Sequence, residues 1–155
     1  MADAPIDVPV LDDAGREMKR FVGFLDEMGA RIAEWGPDRC VIHLAISDMH
    51  RNGISVVHGG VYASLIDTAG AHAGIFCAVP GNTRKAMTIS LNVNLVGSAT
   101  EGTLVTTARV RKAGKTIFVA SCDVHDTDGN LLATGEVVGR YRRGSHLPEG
   151  VPADA

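Results

Sequence analysis

A chain of 155 residues with 45% hydrophobic content and a formal net charge of -3 suffices for one compact domain with a real core, and leaves a second domain without material. The mild acidity excludes the broad electrostatic footprint of a nucleic-acid binder, although cations bunch at Arg84 and Lys85, at residues 109–115 and at residues 140–143. The three cysteines, Cys40, Cys77 and Cys122, lack metal-ligand spacing and are odd in number, so they read as reduced core residues rather than a disulfide framework.

Residues 1–14 are rich in Pro, Ala and Asp and are expected to be flexible. They contain no basic start followed by an apolar run, so a secretory signal is not expected and the protein is placed in the cytoplasm. A single domain is expected over residues 15–143. Met18, Phe21, Val22, Leu25 and Met28 recur at three- and four-residue intervals, which predicts a surface helix over residues 16–28 with its apolar face inward. Alternation of Cys40, Ile42, Leu44 and Ile46 with Val41, His43 and Ala45, after a Gly36-Pro37-Asp38 turn, predicts a hairpin.

Residues 60–79, GVYASLIDTAGAHAGIFCAV, are apolar on nearly every side, with Asp67 and His72 the only ionisable groups. A helix of this kind belongs in a core. It is about long enough to span a bilayer, but two central ionisable groups and the lack of a second such run argue against a membrane role. Pro80-Gly81-Asn82 is expected to stop it. Next, Met87, Ile89, Leu91, Val93 and Leu95 alternate with Thr88, Ser90, Asn92 and Asn94, predicting a strand with one apolar face. Turn signals over residues 97–102, 113–115 and 128–130 divide the rest into three more strands with short, antiparallel connections. The sum is an α+β arrangement: a curved antiparallel sheet wrapped around one long central helix. The small residues Gly60, Ala63, Gly70, Ala71, Ala73, Gly74 and Ala78 would let the sheet approach closely. Residues 144–155, GSHLPEGVPADA, are expected to form a flexible tail.

The chemistry concentrates in residues 52–67, NGISVVHGGVYASLID. A lone carboxylate among apolar residues is costly, so Asp67 calls for a reason. Satisfaction by Ser64 or Asn52 would be the bland one. His58 and Asp67 cannot form a dyad within one helix, because nine residues at ~1.5 Å and ~100° each put them roughly 13 Å apart on opposite faces. If both serve one site, a two-fold partner with an antiparallel helix is the simplest way to join them. Gly59 and Gly60 suit a helix start, whose free N–H groups and positive dipole could hold an oxyanion. His58 more plausibly orients that turn than moves a proton. Asn52 could hold a water or a carbonyl.

Asn52, His58, Gly59 and Asp67 together resemble the hotdog-fold acyl-CoA thioesterases, specifically the phenylacetyl-CoA thioesterase-like (PaaI-like) branch, in which aspartate rather than glutamate stands at position 67. The resemblance implies a hotdog fold and hydrolysis of an acyl-CoA, aromatic such as phenylacetyl-CoA, to free acid and coenzyme A. It also implies that Asn52 and Gly59 of one chain face Asp67 and the Thr88 hydroxyl of another, with Ser90 a close rival to Thr88. Asp67 would act as nucleophile or as general base for water. Gly60, Tyr62 and Thr68 would flank the pocket. Arg111, Lys112 and Lys115, with Arg84 and Lys85, either form a solvated hairpin turn or meet the phosphates of coenzyme A. No metal and no cofactor are expected, coenzyme A being part of the substrate. A homo-oligomer is expected, at least a dimer, with a tetramer implied by the family. The competing readings are a non-catalytic acyl-CoA-binding protein and a hotdog hydratase or dehydratase. His72 reads as a core histidine bonded back toward Thr68.

Overall fold

The computed structural model describes residues 18–154. Its strands form one antiparallel sheet in the order β1-β2-β3-β6-β7-β8-β5, in which β1 is Lys19–Arg20, β2 Arg31–Gly36, β3 Arg39–Ala45, β5 Ala86–Leu95, β6 Thr103–Ala113, β7 Ile117–His125 and β8 Leu131–Tyr141. A second, two-stranded sheet pairs β4 (Asn82–Thr83) with β9 (Val151–Pro152). The long sheet curls around helix α2 (Gly59–Gly74), which packs on β3, β5, β6, β7 and β8. This is the expected hotdog arrangement.

Close approach between helix and sheet depends on the small residues. A Cβ at Gly70 would meet Val137 Cγ2 at 2.5 Å, and one at Gly74 would meet the Phe118 ring at 2.3 Å. Each glycine costs the helix roughly 1 kcal/mol of propensity. Packing of Leu65, Ile66, Ala69 and Ala73 against Ile42, Leu104, Val124 and Val137, all at most 1% exposed, offsets that cost. The β2–β3 hairpin forms as expected, with Asp38 at φ 57 in its tight turn. Cys40 and Cys122 are buried in the core, where desolvation pushes both thiols up to about 12, so they stay protonated and unreactive.

Four expectations are corrected. The helix predicted over residues 16–28 falls partly outside the described residues, and only Phe24–Glu27 is helical, as α1. Lys19–Arg20 pairs with β2 instead, Gly23 at φ 68 breaks the chain direction, and Val22 is 97% exposed. The central helix ends at Gly74, six residues before Pro80, because side chains from the sheet take its last carbonyls: Trp35 Nε1–H donates to His72 O at 2.8 Å and the Tyr141 hydroxyl to Gly74 O at 3.2 Å. The tail from Gly144, read as mobile, is tied down through β9 and through Asn82 Nδ2, which donates to Glu149 O at 2.7 Å. Finally, β5 does not alternate strictly. A bulge between Thr88 and Ser90 shifts its register on β8, so that Thr88, paired with buried Gly139, shares the helix-facing side with Leu91 and Val93.

No helix among the described residues is long and apolar enough to cross a membrane.

Candidate active site

The bulge in β5 decides the geometry of the carboxylate. With Thr88 turned to the helix, its hydroxyl donates to Asp67 Oδ1 at 2.6 Å. Asp67 is half-buried in the single chain, not enclosed as its apolar neighbours suggested. Ser64, the bland partner considered for it, donates instead to Gly60 O at 2.7 Å. Ser90 pairs with Val138, on the far side of the sheet from the buried Val137, and lies exposed away from Asp67. Thr88 is therefore the residue joined to the carboxylate.

The start of α2 is built by His58. Its backbone is extended at φ -66 and ψ 138, and its Nδ1 accepts the Gly60 N–H at 2.9 Å, which fixes the neutral tautomer with the proton on Nε2. The cap uses the Gly60 donor, so Gly60 is not available to polarise a carbonyl. The Gly59 N–H has no acceptor among the described residues and stands at the positive end of the helix dipole. A Cβ at Gly59 would meet Leu95 Cδ1 at 2.8 Å, so a larger residue here has to displace the end of that half-exposed side chain. Leu95 is a neighbour that sequence reading missed, since contact between a helix start and the end of β5 has no local signal.

Asn52 is committed to its own loop: Oδ1 accepts the Ile54 N–H at 3.0 Å and the Val56 N–H at 3.3 Å, and Ser55 sits at φ 66. The side chain still has its NH2 donors, and the turn it holds leads directly into His58. Tyr62, expected at the pocket, is 2% exposed and packs in the core, where burial pushes its phenol up against the opposing pull of the Ala99 backbone. Thr68 is half-buried and its carbonyl bonds His72 Nδ1 at 2.9 Å, as expected for a structural histidine. Phe21 and Trp35 enclose that imidazole with ring centroids at 5.3 and 5.2 Å, and desolvation lowers its pKa.

Of the expected phosphate ligands, Arg84 is spent on structure. Its Nε donates to Ser145 O at 2.8 Å and its NH1 to Phe76 O at 3.0 Å, while the guanidinium lies 5.1 Å from the Tyr141 ring centroid. Lys85 instead lines a recess of about 630 Å³ with Arg142 and Arg143. Arg111, Lys112 and Lys115 are exposed around the β6–β7 turn. Strand register carries that turn to the same end of the sheet, since Ile117 pairs with Arg140 and Ala86 with Tyr141. Three cationic clusters separate in sequence thus meet at one end of the molecule. Among the described residues no group of His, Cys, Asp and Glu could hold a metal ion.

With this geometry, residues 54–133 match the Thioesterase superfamily. The chain belongs to that family. Curated relatives include acyl-coenzyme A thioesterase 13 of Mus musculus, 30% identical over 101 residues that make up 64% of this chain and 70% of the relative. The human protein of the same name is 27% identical over 133 residues, 85% of this chain and 86% of the relative. A thioesterase of Haemophilus influenzae superposes with a TM-score of 0.69 at 22% identity, covering 76% of this chain and 81% of the other, which supports the fold. The expectation of a hotdog thioesterase is borne out, and thioester hydrolysis is the reaction class of this superfamily member.

Proposed function

We propose that this thioesterase cleaves acyl-CoA, that its carboxylate works with a helix start from a second copy of the chain, and that the enzyme is cytoplasmic. The observation that carries the reading is the Thr88–Asp67 hydrogen bond at 2.6 Å, set on a helix whose first N–H, that of Gly59, lacks an acceptor among the described residues. Within one chain the two groups are eight helical residues apart, roughly 12 Å, too far for one carbonyl carbon to meet both. An antiparallel helix from a two-fold partner would bring Asp67 of one copy to Gly59 of the other. β5 supports such a partner: it is an edge strand of the sheet, and Met87, Ile89, Leu91 and Leu95 are 42–54% exposed.

In this arrangement the Gly59 N–H donates to the thioester oxygen as negative charge develops there. Thr88 holds Asp67 Oδ1 and leaves Oδ2 to take a proton from water attacking the carbonyl carbon, or to attack that carbon itself as a nucleophile. The carbon–sulfur bond then breaks and the thiolate of coenzyme A leaves and takes up a proton; attack by water gives the acid directly, whereas attack by Asp67 leaves an acyl–Asp67 anhydride that water hydrolyses to the acid and the free carboxylate. Asn52 steadies the loop before the helix through its Oδ1, and its NH2 donors supply a hydrogen bond to the water or the carbonyl. His58 acts by positioning the helix start. Lys85, Arg142 and Arg143, with Arg111, Lys112 and Lys115 nearby, provide positive charge for the phosphates of coenzyme A. A dimer is the smallest competent assembly, and a pair of dimers is the family-based expectation.

The test is thiol release from acetyl-, octanoyl-, palmitoyl- and phenylacetyl-CoA by the wild type and by Asp67→Asn, with light scattering on both. A loss of at least ~100-fold in kcat/KM by a folded dimeric variant is expected. An active monomer would sink the shared site, and undiminished turnover by Asp67→Asn would sink the role of the carboxylate.

A further inference from the structure

Behind the start of α2 a buried histidine takes no part in the chemistry described so far. His50 is 2% exposed, and backbone groups engage both of its ring nitrogens. Nδ1 accepts the Ser47 N–H at 2.9 Å, and Nε2 meets Met28 O at 2.8 Å. A backbone N–H can only donate and a carbonyl can only accept, so these partners demand the neutral ring with its proton on Nε2. The ring also borders an apolar recess of about 380 Å³, whose walls Phe24, Met28, Met49 and Val61 offer Ser47 no side-chain oxygen or nitrogen in exchange. Through its main chain the same residue holds the helix start: His50 O accepts the His58 N–H at 2.8 Å, and Arg51 pairs with Val57 in an antiparallel bridge. Only the Cα and the carbonyl carbon of His58 then separate that anchored nitrogen from the nitrogen of Gly59.

We infer that His50 is a positioning residue for the Gly59 donor, and that it holds the donor in place only as the neutral imidazole. The inference rests on the reading of Gly59 as the group that polarises the thioester. One side of the turn is fixed by the Val57 N–H, which donates to Ala99 O at 2.9 Å, and the other closes on the His50 carbonyl. A proton added at Nδ1 would point at the Ser47 N–H, donor against donor. The Ser47 hydroxyl, 3.2 Å away, is the acceptor within reach, and turning toward it moves the residue whose carbonyl grips His58. The charged groups nearby are committed or exposed. Asp48 and Arg51, on the same turn, pair with each other, and Arg51 donates to Thr100 O at 2.9 Å, next to exposed Glu101. In α1 Asp26 is taken by Arg20 and Arg31, and Glu27 is exposed. His58 holds the Gly60 N–H. Among the described residues no carboxylate bonds the His50 ring.

Two substitutions divide the contacts of the ring. His50→Asn keeps an acceptor at the Nδ1 position and does not titrate, whereas His50→Gln reaches Met28 O as Nε2 does and leaves the Ser47 N–H unpaired. Each loses one bond, so calorimetry should find similar falls in Tm. Turnover should separate them. With the best substrate of the panel above at pH 8, His50→Gln should lose kcat roughly ten-fold, part of the ~10²–10³ that an oxyanion donor supplies, and His50→Asn should stay within about three-fold, with KM unchanged in both. Losses of kcat that track Tm alike in the two variants would overturn the inference. The pH comparison uses His58→Asn as its parent, because that cap cannot titrate, and Asp67 acts equally in parent and double variant. Between pH 8 and pH 5.5 kcat should fall at least three-fold further in the parent than after His50→Asn is added; equal acid limbs would overturn the requirement for a neutral ring. Hydrogen exchange over residues 56–60 needs no turnover. Corrected for the intrinsic rate, protection should drop about five-fold on the same acidification in the parent and hold in the double variant. That pattern in an enzyme that cleaves no thioester would retire Gly59 as a catalytic donor and keep His50 as the clamp of its turn. Protection indifferent to pH and to both substitutions would overturn the clamp itself.

Discussion

The two ends of α2 each carry a histidine bonded to helix backbone, and they do opposite things. At the first turn His58 is exposed, accepts one N–H and leaves the neighbouring Gly59 donor without an acceptor among the described residues. At the last turn His72 is wedged between Phe21 and Trp35, while Trp35, Tyr141 and Arg84 satisfy carbonyls of the helix end and of the segment after it. Among the described residues, one end keeps a donor without an acceptor. The other leaves little unsatisfied. An end of a helix that must bind a reacting group cannot also complete its own hydrogen bonds, so stability is concentrated at the opposite end.

That division predicts that variants at the first turn change rate more than stability and variants at the last turn do the reverse. Of the variants at the two helix ends, Gly59→Ala should have the largest effect: its methyl competes with Leu95 Cδ1 at 2.8 Å, and kcat/KM should drop roughly 10- to 100-fold as the donor shifts, with little change in Tm. A Tm that falls with activity unchanged would reverse the comparison. Arg84→Ala should cost about 2 kcal/mol, because the carbonyls of Ser145 and Phe76 lose a charged donor. Its turnover per folded molecule should hold, and protease should cut first after residue 144. His58→Ala should cost about 1 kcal/mol as a lost cap, recovered by His58→Asn, with kcat reduced more than KM is raised.

The smallest effect concerns pH. Desolvation holds the His72 pKa below its ordinary value, so between pH 6.5 and the lower folded-state value the unfolded chain binds a proton that the folded chain refuses. Stability should be full above about pH 6.5 and decline on acidification below it. His72→Phe should flatten that decline in urea titrations. An identical slope in the variant would move the cause to another group.

Much of the hotdog fold was legible because it rests on period and punctuation: the glycine- and alanine-rich helix, the hairpin at Pro37-Asp38 and the strands over residues 103–141 all carry local signals. The first half of β5 was misread for a physical reason. A bulge adds one residue and inverts alternation, and nothing in the Thr88-Ile89-Ser90 sequence announces it. Strict alternation puts Thr88 and Ser90 on one polar face, and only the resemblance favours Thr88; the bulge turns Thr88 alone toward Asp67. The spacing of Met18 to Met28 satisfied a helical template, yet Gly23 and pairing with β2 divided that segment into strand, turn and one helical turn.

The sequence alone determined that a small-sided helix would be wrapped by an antiparallel sheet, that His58 would stand at its start and that Asp67 would be its uncompensated charge, because each follows from neighbours within a few residues. The tertiary structure decided the rest. Which hydroxyl meets Asp67, which methyl covers Gly59, which arginine is consumed in holding the C-terminal segment and which walls line the apolar recess are all contacts between distant segments, fixed by register and packing that no local pattern encodes.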